Sequence, residues 1–383
     1  MHVAAADGRR VRRMAMAESG LIGWDIGGAH VKACLLRRGE VLDVAQWACP
    51  LWLGMDRLAP VLQAARARWP GLGAAQHAVT MTGEMVDLFE CREDGVRCIA
   101  AELARTLAAP AAASVHFFAG DAGWCRAEDA AGHWQAIASA NWLATARHAA
   151  LRFGTGLLVD IGSTTTDLIA FKDARVLSPS RSDAQRLASG ELVYQGVVRT
   201  PLCAMAQRID WCGTPHNVMN EFFASAADVY RLTGELDPAH DQMPSADDGP
   251  KDLPSTRQRL ARMIGLDQRD AAPEAWLAFA RAWRTAQVIE LGGQLRRVMA
   301  THGLGRDAVL VSAGCGDFLV SDVLAHAASG MSDPSPGWRL AAYGRDVARV
   351  AAQPSADRAA VQAWAQVCAP CVAVASLFDS GRR

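Results

Sequence analysis

Leu157-Leu158-Val159-Asp160-Ile161-Gly162-Ser163-Thr164-Thr165-Thr166-Asp167-Leu168 is the stretch that decides the fold. Three apolar residues make a buried strand, and Ile169-Ala170-Phe171 resume one after the turn. Between them the chain passes through Asp160 and Gly162 into four hydroxyl residues and a second aspartate. Glycine lets backbone approach a ligand closely, and successive turn amides form an anion-binding nest. Hydroxyls add donors for phosphate oxygens. Asp160 suits Mg²⁺, which prefers a carboxylate together with phosphate oxygens.

The design is repeated. Leu21-Ile22-Gly23-Trp24-Asp25-Ile26-Gly27-Gly28-Ala29-His30-Val31-Lys32 also runs strand, Asp-Ile-Gly, turn, strand, about 135 positions earlier. One such hairpin is an ordinary tight turn; two at this spacing mark two related halves. A third piece, Ala308-Val309-Leu310-Val311-Ser312-Ala313-Gly314-Cys315-Gly316-Asp317-Phe318-Leu319, is a strand, a Gly-rich turn and an apolar helix. With these residues the sequence resembles the sugar kinase/heat-shock chaperone/actin (ASKHA) superfamily. The resemblance implies an α/β fold of two ribonuclease H-like (actin-like ATPase) domains around a central cleft. In it the hairpins are phosphate loops and Gly314 and Gly316 belong to an adenosine loop. Asp160 to Asp167 resembles the hydantoinase A/oxoprolinase branch.

Bulk properties agree. The chain has 383 residues, 51% hydrophobic and 21% charged, with net charge −1. That length predicts two domains with ample core. A balanced charge argues against nucleic acid as a partner. No apolar run reaches roughly 18 residues, so no membrane span is expected. The first residues carry Arg9, Arg10, Arg12 and Arg13 without an apolar segment, so 1–19 reads as a disordered extension rather than a secretory signal. Ten cysteines without such a signal point to reduced thiols and a cytoplasmic location. Cys368-Ala369-Pro370-Cys371 is read as helical neighbours, with redox regulation as the alternative.

Along the chain, strands at 21–49, 78–82 and 115–118 alternate with helices at 56–69, 99–107 and 138–153. Residues 20–153 form the expected first domain. The expected second domain is 154–383, with a helical insertion at about 183–301 and a closing C-terminal helix at 372–378. Within it, 178–196 reads as a polar stretch, 217–232 as helix, 234–256 as a proline-rich acidic loop, and 256–264 and 274–301 as helices.

A narrower resemblance is carried by Met81-Thr82-Gly83-Glu84-Met85-Val86-Asp87-Leu88-Phe89, Phe118-Ala119-Gly120-Asp121, Ser139-Ala140-Asn141-Trp142, Ser182-Asp183-Ala184-Gln185-Arg186-Leu187, and Ala227-Asp228-Val229-Tyr230. Gly190-Glu191-Leu192-Val193-Tyr194-Gln195-Gly196-Val197-Val198-Arg199-Thr200-Pro201-Leu202-Cys203 is its most specific part. These stretches resemble the tetrahydromethanopterin-linked C1-transfer protein family related to the methanofuran-biosynthesis condensing synthase. The resemblance implies a transferase in furan-cofactor (methanofuran or methylofuran) biosynthesis. It would join an aminomethyl-furanmethyl diphosphate to the phenol of a glutamylated tyramine or tyrosine acceptor and release diphosphate.

Residue roles follow. Asp25 and Asp160 are the expected Mg²⁺ ligands and, through the metal, catalytic residues. Gly27, Gly28, Gly162, Ser163, Thr164 and Thr165 would cradle the phosphates, with Gly314 and Gly316 at ATP or another nucleotide. Phenol, with a free pKa of about 10, needs a base; Glu84, Glu191 and Asp121 are the candidates. Lys32 could neutralise phosphate or stand as a solvated strand-end lysine, and Arg199 could meet a substrate phosphate or carboxylate or form a structural ion pair. Tyr194 and Trp142 read as core aromatics, with ring stacking on furan or phenol as the functional alternative. Asp247-Asp248-Gly249 reads as a solvated acidic loop. Two other classes share the loops: an ATP-dependent small-molecule kinase or oxoprolinase/hydantoinase-type amidohydrolase, and a nucleotide-gated scaffold. The implied partners are the furan diphosphate and the phenolic acceptor; a homo-oligomer is one assembly open to the chain, and the sequence does not fix it.

Overall fold

A computed structural model describes residues 20–107, 115–305, 308–329, 338–352 and 355–382. The extension expected at 1–19 lies outside them. In chain order the strands are β1 (Leu21–Ile26), β2 (His30–Arg37), β3 (Glu40–Ala48), β4 (Gln76–Met81), β5 (Val115–Phe118), β6 (Trp124–Cys125), β7 (Gly156–Ile161), β8 (Thr166–Lys172), β9 (Arg175–Val176), β10 (Leu192–Val193), β11 (Arg208–Trp211), β12 (Thr214–Asn217), β13 (Val309–Ala313) and β14 (Arg339–Ala342). The chain divides into two compact units. The first contains residues up to 154, 173–176 and 342 onward; the second contains 155–172 and 177–341.

In the first unit the sheet order is β3-β2-β1-β4-β5-β6. β1 pairs antiparallel with β2 and parallel with β4, and β4 runs parallel to β5. All six residues of β1 are buried. Ile22, Trp24 and Ile26 join a core with Leu58, Val61, Leu62 and Ala65 of the helix Leu58–Arg68, and with Val96, Ile99 and Leu103 of the helix Arg92–Leu107. Both helices were expected, the second with a later start.

The helix Ala369–Ser380 packs against β1, β2 and β4. Gly23 permits this, because a Cβ there would stand 2.0 Å from the Cys371 carbonyl oxygen. The closing helix was expected in the second domain and belongs to the first unit. The physical reason is that apolar contact on the free face of β1. The helix Ser355–Val367 that precedes it was not anticipated.

The second unit repeats the plan. Its sheet order is β10-β8-β7-β13-β14, with β7–β8 antiparallel and β7–β13 parallel. Gly156 lets β13 approach, since a Cβ would meet the Val309 carbonyl oxygen at 2.2 Å. In both sheets a hairpin strand is followed by a parallel neighbour on its other side. The chain is therefore an α/β protein of two ribonuclease H-like, actin-like domains.

Several local expectations are corrected. Residues 217–232 are not one helix: β12 ends at Asn217, and a helix starts only at Ala226, behind a capping box between Ser225 and Asp228. The polar stretch 178–196 holds the helix Asp183–Ser189, capped reciprocally by Ser182 and Gln185, and then β10. The β11–β12 hairpin, turning through Cys212 and Gly213 at positive φ, was also missed.

Among the described residues no single helix is long and apolar enough to cross a membrane. The pair Asp357–Val367 and Ala369–Ser380 passes on composition but is bent by 96°. Its second member is largely buried against β1.

Candidate anion site

The second hairpin is built wholly within the second unit. β7 ends at Asp160-Ile161 and β8 begins at Thr166, leaving Gly162–Thr165 as the loop. Gly162 N donates to Thr165 O at 2.8 Å and closes it. The segment Gln195–Thr200 lies directly on this loop. The amides of Val197, Val198 and Arg199 donate to the carbonyls of Gly162 (3.0 Å), Ser163 (3.0 Å) and again Ser163 (2.8 Å).

Gly196 makes that approach possible: a Cβ there would lie 2.5 Å from Gly162 O and Thr164 N. Thr200 Oγ1 accepts from Gly196 N at 2.8 Å and donates to Gly196 O at 3.1 Å. Gln287 Nε2 donates to the same carbonyl at 3.1 Å, and Tyr230 OH donates to Gln287 Oε1. Thr166 Oγ1 donates to Gln195 O at 2.7 Å.

With the Gly162 and Ser163 carbonyls bound by this segment, the loop offers hydroxyls. Ser163 Oγ and Thr164 Oγ1 lie 3.4 Å apart, both on half-buried residues. Arg199 Nη1 donates to Thr164 Oγ1 at 3.3 Å. Burial lowers the Arg199 pKa, and the nearby Tyr194 opposes that shift. A guanidinium keeps its charge regardless. The result is a turn braced by its neighbouring segment, with hydroxyl and guanidinium donors of the kind that phosphate oxygens accept from.

Asp160 faces Asp167 across the hairpin, in register. Asp167 is ion-paired with the buried Arg186. Gly314, at φ +87°, accommodates the end of β7: a Cβ would meet Ile161 O at 2.1 Å and Asp160 Oδ1 at 2.6 Å. Gly316 N donates to Ile161 O at 2.8 Å, and its own Cβ would strike Ile161 and Val197. These two glycines, expected at a nucleotide, are needed here for packing against the Asp160 strand. Cys315 between them is buried.

Among the described residues no group of three or more His, Cys, Asp or Glu side chains is placed to hold a metal. The donors at Asp160 still suit Mg²⁺, which binds through one or two carboxylates and completes its shell with phosphate oxygens and water.

The first hairpin belongs to the first unit. Gly27 N donates to His30 O at 3.0 Å, and Leu51 N donates to Gly28 O at 2.9 Å. Cβ atoms at these glycines would meet His30 O at 2.7 Å and Val86 Cγ1 at 2.9 Å. Asp25 is buried, with Lys32 Nζ at 3.8 Å from its Oδ2. Lys32 thus has a carboxylate partner on the neighbouring strand.

Glu84 follows β4, on a turn whose Gly83 packs against the Gly27 backbone. Its Oε1 accepts from Arg92 Nη2 (2.7 Å) and Ser139 Oγ (2.8 Å), and Arg92 Nη2 also donates to Ser139 Oγ at 2.7 Å. Its Oε2 is buried without a hydrogen-bond partner. Burial raises the Glu84 pKa against the lowering effects of Arg92 and Ser139. Ser139 holds φ +50°, a strained value for a residue with a side chain.

The other candidates separate. Glu191 Oε2 accepts from Ser178 (2.7 Å) and Ser189 (2.9 Å), and its Oε1 meets His302 Nε2 at 3.2 Å. This cluster borders a cavity of about 320 Å³ together with Leu177, Pro179 and Val298. Glu191 O accepts from Leu168 N, farther along β8 than the loop. Asp121 is exposed and ion-paired with Arg147. Trp142 is core at 2% exposure, whereas Tyr194 is 59% exposed. Asp247 is held by Ser245, Gly249 N and Arg259, as a structural loop residue. Cys34, Cys368 and Cys371 are fully buried, and burial raises the Cys371 pKa. His302 and Gln287 were missed, and Arg186 was noted only within the Ser182–Leu187 resemblance; their partners are set by packing between elements distant in sequence.

A family model described as hydantoinase/oxoprolinase matches residues 76–353. The chain is 29% identical over 261 residues to a Methanocaldococcus jannaschii protein named (4-{4-[2-(gamma-L-glutamylamino)ethyl]phenoxymethyl}furan-2-yl)methanamine synthase, covering 68% of this chain and 76% of that one. A Methanococcus vannielii protein of the same name is 27% identical over 168 residues, 44% of this chain and 74% of its own length. Among solved structures, a glucokinase from Streptomyces griseus aligns over 85% of this chain and 94% of its own, at 12% identity and a TM-score of 0.42.

Proposed function

This chain belongs to the hydantoinase/oxoprolinase family, and we propose that within it the protein is a transferase of furan-cofactor biosynthesis. It joins an aminomethyl-furanmethyl diphosphate to the phenol oxygen of a glutamylated tyramine or tyrosine acceptor. The observation that carries this reading is the anion site of Gly162–Thr165 and Arg199, in a chain similar over 68% of its length to one of the named synthases and over 44% to the other.

In the reaction the methylene C–O bond breaks and its electron pair leaves with diphosphate. The phenol oxygen supplies the new C–O bond and loses its proton. A furan stabilises positive charge on the methylene, so the demanding task is to hold the departing anion. Arg199 and the Ser163 and Thr164 hydroxyls do this through fixed dipoles and charge that need no reorganisation. Asp160 would hold Mg²⁺, which supplies further neutralisation of the diphosphate when bound. Asp25, paired with Lys32, is the weaker candidate for that ion. We assign the proton-accepting role to Glu84. One of its oxygens is fixed and the other has no partner, and its raised pKa suits a base. Glu191, with both oxygens engaged, fits the role less well. The setting proposed is the cytoplasm, in keeping with a chain of ten cysteines that the sequence reads as reduced.

The test is incubation with furanmethyl diphosphate, Mg²⁺ and tyramine or tyrosine acceptors, without ATP. Ether product of the expected mass, with one diphosphate released per product, supports the reading. No ether product, or product formed only when ATP is hydrolysed, rejects it in favour of the kinase or amidohydrolase class.

A further inference from the structure

Three tyrosines occur in the chain, and two of them, Tyr230 and Tyr343, are fully buried. Tyr194 is 59% exposed, although its neighbours Leu192 and Val193 are buried. It does not sit on a slack loop. On one side β10 pairs with β8, and on the other the Gln195 carbonyl is held by Thr166 Oγ1. Four residues later the same segment delivers Arg199 to Thr164. Tyr194 and Arg199 stand five positions apart on that one segment. A large aromatic face is thus fixed in water beside an anion site.

We propose that Tyr194 forms the ring-binding wall of this site, stacking the flat aromatic ring of a ring-methyl diphosphate. The inference rests on the proposed function and names the residue that recognises the furan. A diphosphate held by Arg199 and Thr164 places its methylene one ester oxygen away and the ring directly after it. The ring must therefore lie within a side chain's reach of the guanidinium, and Tyr194 is the exposed aromatic on the segment that carries that guanidinium. Its face also favours the positive charge that grows on the methylene as diphosphate departs.

The experiment compares affinities for furanmethyl diphosphate and inorganic diphosphate in the full chain, each with Mg²⁺, by calorimetry. Tyr194→Leu is expected to weaken the furan ligand about three- to tenfold, the range of an aromatic pair, and to leave inorganic diphosphate unchanged. Tyr194→Phe is expected to match the parent. Equal weakening of both ligands, no weakening of either, or a loss in Tyr194→Phe as large as in Tyr194→Leu would overturn the assignment. A parent protein that binds no inorganic diphosphate removes the anion site itself, and the proposed function with it. Unchanged melting temperatures establish that the variants fold.

Discussion

Arg186, 2% exposed, forms an ion pair with Asp167, the residue opposite Asp160 in the β7–β8 hairpin. Two carboxylates in register would repel one another, and the guanidinium neutralises one of them. Asp183, on the same helix as Arg186, adds a weaker contact at 3.5 Å. Removing one partner of a buried pair leaves the other charge without compensation, which costs about 3–5 kcal/mol. Arg186→Met should therefore lose stability on that scale in urea unfolding, and Asp167→Asn in the same background should restore part of it. A loss below about 1 kcal/mol would show that the pair is solvent-screened.

Gly196 and Gly293 make opposite predictions from the same substitution. At Gly196 a Cβ would enter the backbone of Gly162–Thr164, at 2.5 Å. Backbone cannot yield as a side chain can, so Gly196→Ala should displace the anion loop. Diphosphate affinity should fall at least about tenfold, and stability by about 1–3 kcal/mol as in other overpacked sites. At Gly293, inside the helix Pro273–Thr301, a Cβ meets nothing within 4 Å. There Gly293→Ala should stabilise by about 1 kcal/mol, the helix-propensity difference. Similar melting temperatures for the two variants would contradict both arguments.

The contrast shows what could be read from the chain alone. Asp160-Ile161-Gly162 and Asp25-Ile26-Gly27 announced their hairpins, because glycine, acid and flanking apolar residues act over a few positions. Gly196 was noticed only as part of a longer resemblance. Its need for a missing side chain arises from residues more than thirty positions earlier. Ala369–Ser380 was recognised as a helix but given to the wrong half, since periodicity tells which face is apolar and not which sheet covers it. Arg186 was quoted only within a longer resemblance, in a stretch read as polar, and was given no role. Its helix depends on the Ser182–Gln185 capping box, and its burial depends on Asp167. Tyr194 and Trp142 looked alike in sequence, and tertiary packing alone separated them.

Thiol chemistry tests the buried cysteine cluster. Cys34 Sγ donates to Cys371 O at 3.3 Å, and Cys371 Sγ donates to Cys368 O at 3.1 Å. Burial pushes the Cys371 thiol up, which disfavours the reactive thiolate. A maleimide applied to the native protein should label the exposed Cys91 and Cys212 first. Cys34, Cys368 and Cys371 should react only after unfolding. Mass mapping that finds Cys368 or Cys371 labelled early, or activity that responds to mild oxidation in a Cys91→Ser/Cys212→Ser background, would restore redox control as a working idea.

Glu84 should reveal itself through pH. Its carboxyl, ordinarily at 4.5, is raised in the folded protein mainly by burial. The folded state then holds this proton more tightly than the unfolded chain does. Between the two pKa values the folded state binds more protons, so stability falls as pH rises, and the loss is complete above the folded pKa. Below about pH 4 both states are protonated and the group contributes nothing to the pH dependence. Glu84→Gln has no proton to lose. The difference in melting temperature, parent minus variant, should therefore drop from the acidic side toward neutrality and then level off. The catalytic consequence runs the other way: a base must be deprotonated, so the parent's turnover should rise over the same interval. Glu84→Gln should flatten that rise and lower turnover by about 10²- to 10⁴-fold, the usual contribution of a general base. Acceptors with more acidic phenols need the base less and should narrow the gap. A melting difference that rises with pH would place the Arg92 pairing above burial, and a flat one would set the two equal. A gap in turnover that ignores phenol acidity would make Glu84 a structural anchor for Ser139 rather than the proton acceptor.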